Sequence, residues 1–287
     1  GIEFASFYND MGADVTVVEM MDRIVPVEDA DVSTFLEKSL KKQGMTILTG
    51  AKLDSLKVTA NGVSAGIVGK DGKPVPGEFS HCIVAIGIVP NTESIGLDKL
   101  GVEMERGHIK TNGLCATNVP GLWAIGDVTA PPWLAHKASH EGVTAAEAIA
   151  KALGNKDVHP HEMDPKNIPG CTYCRPQVAS VGLTEAKAKE AGHEVKVGNF
   201  PFIGNGKAIA LGEVEGFVKT VFDVKTGELL GAHMVGAEVT EMIQGYTLGK
   251  TAELVEQDFM QTVYPHPTIS ESMHESVLGA FGRVLHI

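Results

Sequence analysis

A chain of 287 residues that is 43% hydrophobic and 21% charged has the composition of an ordinary globular protein, and it is long enough for two domains. Its formal net charge of −12 argues against a surface built for a phosphate backbone, so nucleic acid is not expected as a partner. No apolar run approaches the roughly 20 residues that cross a bilayer, and the opening GIEFASFYND lacks the basic-then-apolar pattern of a secretory signal; no membrane contact and a cytoplasmic location are expected.

The chain opens on Gly1, without Met, directly inside a helical pattern, which suggests a piece of a longer protein. Ile2, Ala5, Phe7, Tyr8 and Met11 recur at helical spacing, and Gly12 follows where a C-cap would sit. ADVTVVE (13–19) then reads as a buried strand ending in Glu19, VSTFLEKSLKKQG (32–44) as a helix stopped by Gly44, and MTIL (45–48) as a second strand. Helix, strand, helix, strand is a parallel α/β unit without its first strand. The turn pairs Asn61-Gly62 and Asp71-Gly72 predict an antiparallel meander over 53–79, after which HCIVAIG (81–87) returns as a buried strand. Loops to Val119, a strand LWAIGD (122–127) and a long helix over 136–153 come next. Residues 154–170, GNKDVHPHEMDPKNIPG, mark a domain boundary by their Pro and polar content. Beyond them VASVGLT, EVKVGNFPF, ALGEVEGFVKTVFDV and LLGAHMVG are strand patterns, with Lys225-Thr226-Gly227 as a hairpin turn. Helices are expected over 184–191, 239–251 and 270–281, so the last part is an α+β sheet-and-helix layer.

Several stretches carry candidate chemistry. Gly1, a helix, a strand and a terminal Glu19 fit the second half of a dinucleotide-binding βαβ unit, in which the acid accepts ribose hydroxyls; any α/β unit with a Glu after a strand fits them too. LWAIGDV would deliver Asp127 to the C-terminal end of a strand, where α/β folds bind small ligands, or Asp127 simply caps a turn. In HPTISE, histidine is a side-chain type able to pass a proton either way near neutral pH, and Glu271 would fix the tautomer of His266, with Thr268 or Ser270 capping the helix that carries the acid. The competing reading is a loop histidine with Glu271 merely favourable at a helix N-terminus. Of the four cysteines, Cys82, Cys115, Cys171 and Cys174, only CTYC has a suggestive spacing. A zinc site wants a second ligand pair and a redox motif wants the pair opening a helix, so these read as loop cysteines without function, and no metal site is expected.

Taken in order, GIEFASFY…GADVTVVE, AIGIVPNT, TNVPGLWAIGDV, LAHKASHEG, CTYCRPQVASVGLTE and YPHPTISESMHE resemble the C-terminal, larger part of the dihydrolipoamide dehydrogenase family of flavin disulfide oxidoreductases, from end to end of the chain. The resemblance implies an α/β fold followed by α+β: a partial Rossmann-like NAD-binding domain at 1–89, a central segment contributing to the FAD site at 90–159, and a dimerisation domain with an antiparallel sheet at 160–287. It implies NAD at Gly1, Glu3, Glu19 and Gly87, and FAD at Asp127, Leu134, Ala135 and His136. His266 would be the acid–base group and Glu271 its orienter, serving a redox disulfide of the partner subunit in a homodimer. The implied partners are the dihydrolipoamide of a lipoyl-domain protein and the core of a 2-oxoacid dehydrogenase complex. Glutathione reductases share the histidine–glutamate pair but carry arginines for the 2′-phosphate of NADP, where this chain has Glu19 and only Arg23. Mercuric reductases end in adjacent cysteines, which GRVLHI lacks. The family's redox cysteine pair and the glycine-rich turn of its FAD domain have no counterpart here, so the 287 residues alone are expected to be inactive, a dimerising fragment at most.

Overall fold

The computed structural model describes all of residues 1–287, and the chain divides into two compact units, one of Gly1–Ala85 with Pro169–Ile287 and one of Ile86–Ile168. In the first unit, helix α1 (Ile2–Asp10), strand β1 (Thr16–Glu19), helix α2 (Ala30–Lys42) and strand β2 (Thr46–Thr49) follow in the expected order. The two strands pair in parallel, with Glu19 opposite Thr49. Helix α2 begins where Asp29 Oδ1 accepts the Asp31 N–H at 3.0 Å, and it buries Val32, Leu36 and Leu40 at helical spacing. The expected meander consists of β3 (Lys52–Thr59), β4 (Gly62–Val68), β5 (Pro74–Val75) and β6 (Glu78–Phe79), and both short strands pair with β4. Gly62 has φ 155°, and a Cβ there would lie 2.2 Å from the Phe79 carbonyl oxygen, so only glycine closes this hairpin against β6.

Residues 81–87 do not form the expected strand. An apolar run becomes a strand only when another strand takes its N–H and C=O groups, and none in this chain does; Ile83 and Val84 stay 51% and 60% exposed.

The second unit holds a short helix α3 (Leu97–Leu100), a two-stranded ribbon of β7 (Met104–Glu105) and β8 (His108–Ile109), and the long helix α4 (Ala135–Ala152). LWAIGD is not the expected strand either. Trp123 makes one isolated bridge to Ala116, and the backbone then tightens into a single 3₁₀ turn, Gly126–Val128, with Gly126 at φ 75°. Pairing stops there because the Gly126 N–H donates to a side chain on α4.

The rest of the first unit is built on one antiparallel sheet, whose strands are β9 (Gly170–Thr172), β10 (Gln177–Gly182), β11 (Val195–Pro201), β12 (Phe217–Asp223) and β13 (Leu229–Gly236), in the order β11-β12-β13-β10-β9. Helices α5 (Glu185–Glu190), α6 (Gly206–Leu211), α7 (Val239–Thr251), α8 (Glu256–Gln261) and α9 (Glu271–Ala280) complete it. Helix α6 replaces the front of the strand expected from residue 210: Asn205 Oδ1 accepts the Ala208 N–H at 2.9 Å and Gly212 closes the helix at φ 76°, so the strand begins only at Phe217. Along β12, Val218 and Phe222 pack with residues of α7, α8 and α9, whereas Phe217 packs with α2, its ring 5.5 Å from that of Phe35. Strands β12 and β13 are therefore buried end to end, since both faces of the sheet are covered.

The β12–β13 hairpin turns as expected at Lys225-Thr226-Gly227. Asp223 Oδ1 accepts the N–H groups of Lys225 and Thr226 at 2.7 and 3.0 Å, and Oδ2 accepts from His193 Nδ1 at 2.6 Å. The His193 bond and the turn N–H groups hold the Asp223 carboxyl down at about 2. A depressed carboxyl contributes stability above its unfolded value and loses it as pH falls. The melting-temperature difference between wild type and Asp223→Asn, measured by circular dichroism, is thus expected to shrink between about pH 4 and about pH 2. A difference constant through that window would show that the ionised form contributes nothing. No helix is long and apolar enough to cross a membrane.

Candidate active site

His266 and Glu271 meet. His266 Nδ1 lies 2.9 Å from Glu271 Oε1 and 3.2 Å from Oε2, and Oε2 also accepts the Thr268 N–H at 2.9 Å. An ionised carboxylate only accepts, so Nδ1 carries a proton, and in the neutral imidazole Nε2 presents its lone pair. The imidazole is 78% exposed against 27% for the acid, so the ring faces outward and the carboxylate sits behind it. Burial by itself would raise the Glu271 carboxyl, but the Thr268 N–H and His266 bring it below its ordinary value, which keeps it charged.

The expected side-chain cap on α9 is absent. Ser270 occupies the cap position with helical angles, φ −58° and ψ −22°, and makes no cap bond, while the Thr268 hydroxyl donates to the Pro265 carbonyl at 2.7 Å. Glu271, the first residue of the helix, draws in the preceding loop through the Thr268 N–H instead. The His266-Pro267 peptide is cis.

Elsewhere in the first unit, Gly1 precedes α1 without a side-chain cap, and a Cβ on it would touch the Ala85 Cβ at 3.4 Å, so the helix start approaches that segment closely. Glu19 ends β1 half-buried, with Oε1 accepting the Met21 N–H at 2.8 Å and Oε2 unengaged. A glycine at a helix N-terminus and an acid with one oxygen available at a strand end fit the pyrophosphate and ribose of a dinucleotide. Arg23 is turned to the Pro26 carbonyl at 3.1 Å. Glu3 Oε1 accepts the Tyr173 N–H at 2.8 Å, tying α1 to the loop after β9.

In the second unit Gly87 is exposed at φ 125°, a backbone angle that favours glycine. Asp127 is exposed on the 3₁₀ turn, Leu134 sits at the cap position of α4 without a side-chain cap, and Ala135 and His136 open the helix. These positions fit a polar chain bound by Asp127 and a ring lying over a helix start. What the sequence reading missed is the pair that shapes this loop. Glu141 Oε2 accepts the Gly126 N–H at 2.7 Å, and Lys137 Nζ reaches Glu141 Oε1 and Thr129 Oγ1 at 2.9 Å and the Ala130 carbonyl at 2.8 Å. Lys137 and Glu141 are 6% and 11% exposed. Four residues apart on a helix, they read by default as a solvated surface pair, and only burial reveals their function as a loop anchor.

The CTYC cysteines split across the sheet. Cys171, which lies on strand β9 rather than in a loop, packs toward the α7–α9 core, and Cys174 belongs to the core shared with α1 and α2. Burial pushes the Cys174 thiol up to about 12 and raises Cys171, so neither supplies the thiolate that exchange chemistry needs. No three His, Cys, Asp or Glu residues are grouped to hold a metal.

Residues 1–142 match the family model described as pyridine nucleotide-disulphide oxidoreductase, and residues 168–277 match that of its dimerisation domain. The chain belongs to the pyridine nucleotide-disulphide oxidoreductase family. All of it aligns with dihydrolipoyl dehydrogenases, at 61% identity with that of Zymomonas mobilis and 54% with that of Rhizobium etli, covering 60% and 58% of those proteins. Among solved structures it superposes on LpdA of Mycobacterium tuberculosis with a TM-score of 0.85 at 28% identity, covering 96% of this chain and 58% of that one. The flavoprotein disulfide reductase RclA of Escherichia coli gives 0.84 at 25% identity, covering 96% of this chain and 61% of that one. The chain thus spans about three-fifths of the length of the relatives it matches.

Proposed function

We propose that the whole protein oxidises dihydrolipoamide to lipoamide with NAD⁺ as acceptor: dithiol plus NAD⁺ gives disulfide, NADH and a proton. The observation that carries the reading is the outward-facing Nε2 of His266 backed by an ionised Glu271, in a chain alignable throughout with dihydrolipoyl dehydrogenases. His266 takes a proton from the substrate thiol, and Glu271 holds the neutral tautomer beforehand and stabilises the imidazolium afterwards. The exchanging cysteines are a pair other than Cys171 and Cys174. Bound FAD would carry the electrons from dithiol to nicotinamide. Asp127 would hold its ribityl chain, with Leu134, Ala135 and His136 against the ring; Gly1, Glu3, Glu19 and Gly87 would hold NAD. Residues 160–287 would form a homodimer, residues 1–89 would bind NAD, and residues 90–159 would contribute to the FAD site. The natural substrate would be the lipoyl group of a 2-oxoacid dehydrogenase complex in the cytoplasm.

The rival disulfide reductase that uses NADP and glutathione is disfavoured by Glu19, whose carboxylate repels a 2′-phosphate, and by Arg23, engaged on the Pro26 carbonyl. Steady-state assays of the whole flavoprotein are expected to show NADH formation from dihydrolipoamide and a preference for NAD⁺ over NADP⁺ of ~10-fold or more. Faster NADPH-dependent reduction of glutathione disulfide would overturn the assignment.

A further inference from the structure

We infer that Asn205 is the positioning residue of the His266–Glu271 pair, holding the loop that carries the histidine through its side-chain amide. This rests on the dihydrolipoamide reading above and adds a residue on a different element to that site. Asn205 is 4% exposed. Its Oδ1 caps α6 through the Ala208 N–H at 2.9 Å, and its Nδ2 donates to the Thr268 carbonyl at 3.0 Å and lies 3.4 Å from that of Ile269. A cap requires only an acceptor, which Ser, Thr or Asp supplies equally well. The donor half of the amide is surplus to capping and is spent on the loop.

Thr268 is the residue where three restraints on the pair converge. Its carbonyl is held by Asn205, its hydroxyl ties down the Pro265 carbonyl, and its N–H fixes Glu271 Oε2, whose carboxylate in turn orients His266 Nδ1. The imidazole is 78% exposed, so packing contributes little to its aim and hydrogen bonds must set it. Because α9 has no side-chain cap, the loop is joined to the helix start by the Thr268–Glu271 bond, and Asn205 adds an anchor from outside both loop and helix. The anchor is itself rigid. The Asn205 N–H donates to the Phe202 carbonyl at 2.9 Å, and Gly204 is so closely enclosed that a Cβ there would lie 2.4 Å from Ile287 and 2.8 Å from Phe200.

The test uses Asn205→Ser and Asn205→Asp in the whole flavin-loaded protein. Both keep an acceptor for the Ala208 N–H; serine is too short to span to Thr268, and an ionised aspartate has no donor. The expected result is a fall of about 10-fold or more in kcat for dihydrolipoamide oxidation, as for a displaced reacting group, with KM little changed. Turnover of NADH with ferricyanide, which needs no thiol base, should be retained. Because Asn205 acts through His266, adding Asn205→Ser to His266→Gln should cost no more than His266→Gln alone. The inference is overturned if dihydrolipoamide turnover stays within twofold of wild type, if the two losses multiply, or if both variants lose flavin and both activities in parallel, as a simple cap would. Failure of the underlying reading looks different: His266→Gln by itself would then leave dihydrolipoamide turnover intact.

Discussion

His266→Gln in the whole protein is expected to slow dihydrolipoamide oxidation by about 10²- to 10⁴-fold, the range for a lost general base. Glutamine can still donate to the Glu271 carboxylate, which His266 Nδ1 meets at 2.9 Å, so the loop keeps its shape. What disappears is the only nitrogen in the pair able to accept a proton. Stopped-flow reduction of the flavin by dihydrolipoamide should register the whole deficit, and NADH reduction of the same flavin should proceed at the wild-type rate. A drop of only two- or three-fold in the first rate would remove His266 from the mechanism. Glu271 should matter less: it shifts how often the imidazole is in the right tautomer, and a neutral Glu271→Gln could still accept the Thr268 N–H.

Lys219→Met is expected to cost about 3–5 kcal/mol of stability, the penalty for stranding a buried charge. Lys219 lies on β12 facing α2, with its side chain 3% exposed, and Nζ meets Asp29 at 2.9 Å, Asp31 at 2.6 Å and Glu185 at 2.9 Å. Asp29, also 3% exposed, caps α2 and accepts the Glu185 N–H as well, so one ammonium joins the starts of two helices to the middle of a sheet. Burial opposes charge on Lys219, but the three carboxylates outweigh it and raise the lysine; Asp29, also opposed by burial, is lowered by the same contact. The lowered acid contributes stability above about pH 4 that is lost on acidification, and the raised lysine contributes below about pH 10 that is lost in alkali, so the cluster is intact between them. The exposed Asp31 and the part-exposed Glu185 would be re-solvated in the variant, leaving Asp29 as the main cost. Urea unfolding should therefore show much of the loss recovered in Lys219→Met/Asp29→Asn. If the double variant is no better than the single, the destabilisation has another source than an unpaired carboxylate.

How much of this was legible follows from the range of each interaction. The two helices and two parallel strands at the start, the meander at Asn61-Gly62 and Asp71-Gly72, the Lys225-Thr226-Gly227 turn, α7 and α9 depend on periodicity and turn chemistry within a dozen residues, and each formed where expected. The His266–Glu271 pair was legible for the same reason, being five residues apart across one loop–helix junction. Where reading failed, the deciding partner was distant. HCIVAIG and LWAIGD carry strand-like apolar runs, yet a strand is made by a neighbour's hydrogen bonds, which neither has as a ladder. The front of the β12 pattern went instead to α6 through a cap from Asn205, a residue that then reaches 63 residues along the chain to Thr268.

The sequence by itself therefore determined the local elements, the absence of a polyanion-binding charge balance and the meeting of His266 with Glu271, because these follow from spacing and side-chain chemistry. Tertiary structure alone decided which charges are buried and what they hold. Lys219 meets Asp29 across 190 residues, and Lys137 and Glu141 become a buried loop anchor instead of a solvated pair. The physical reason is that a charge or an amide acquires its partner, and its energetic weight, only when packing excludes the water that would otherwise satisfy it.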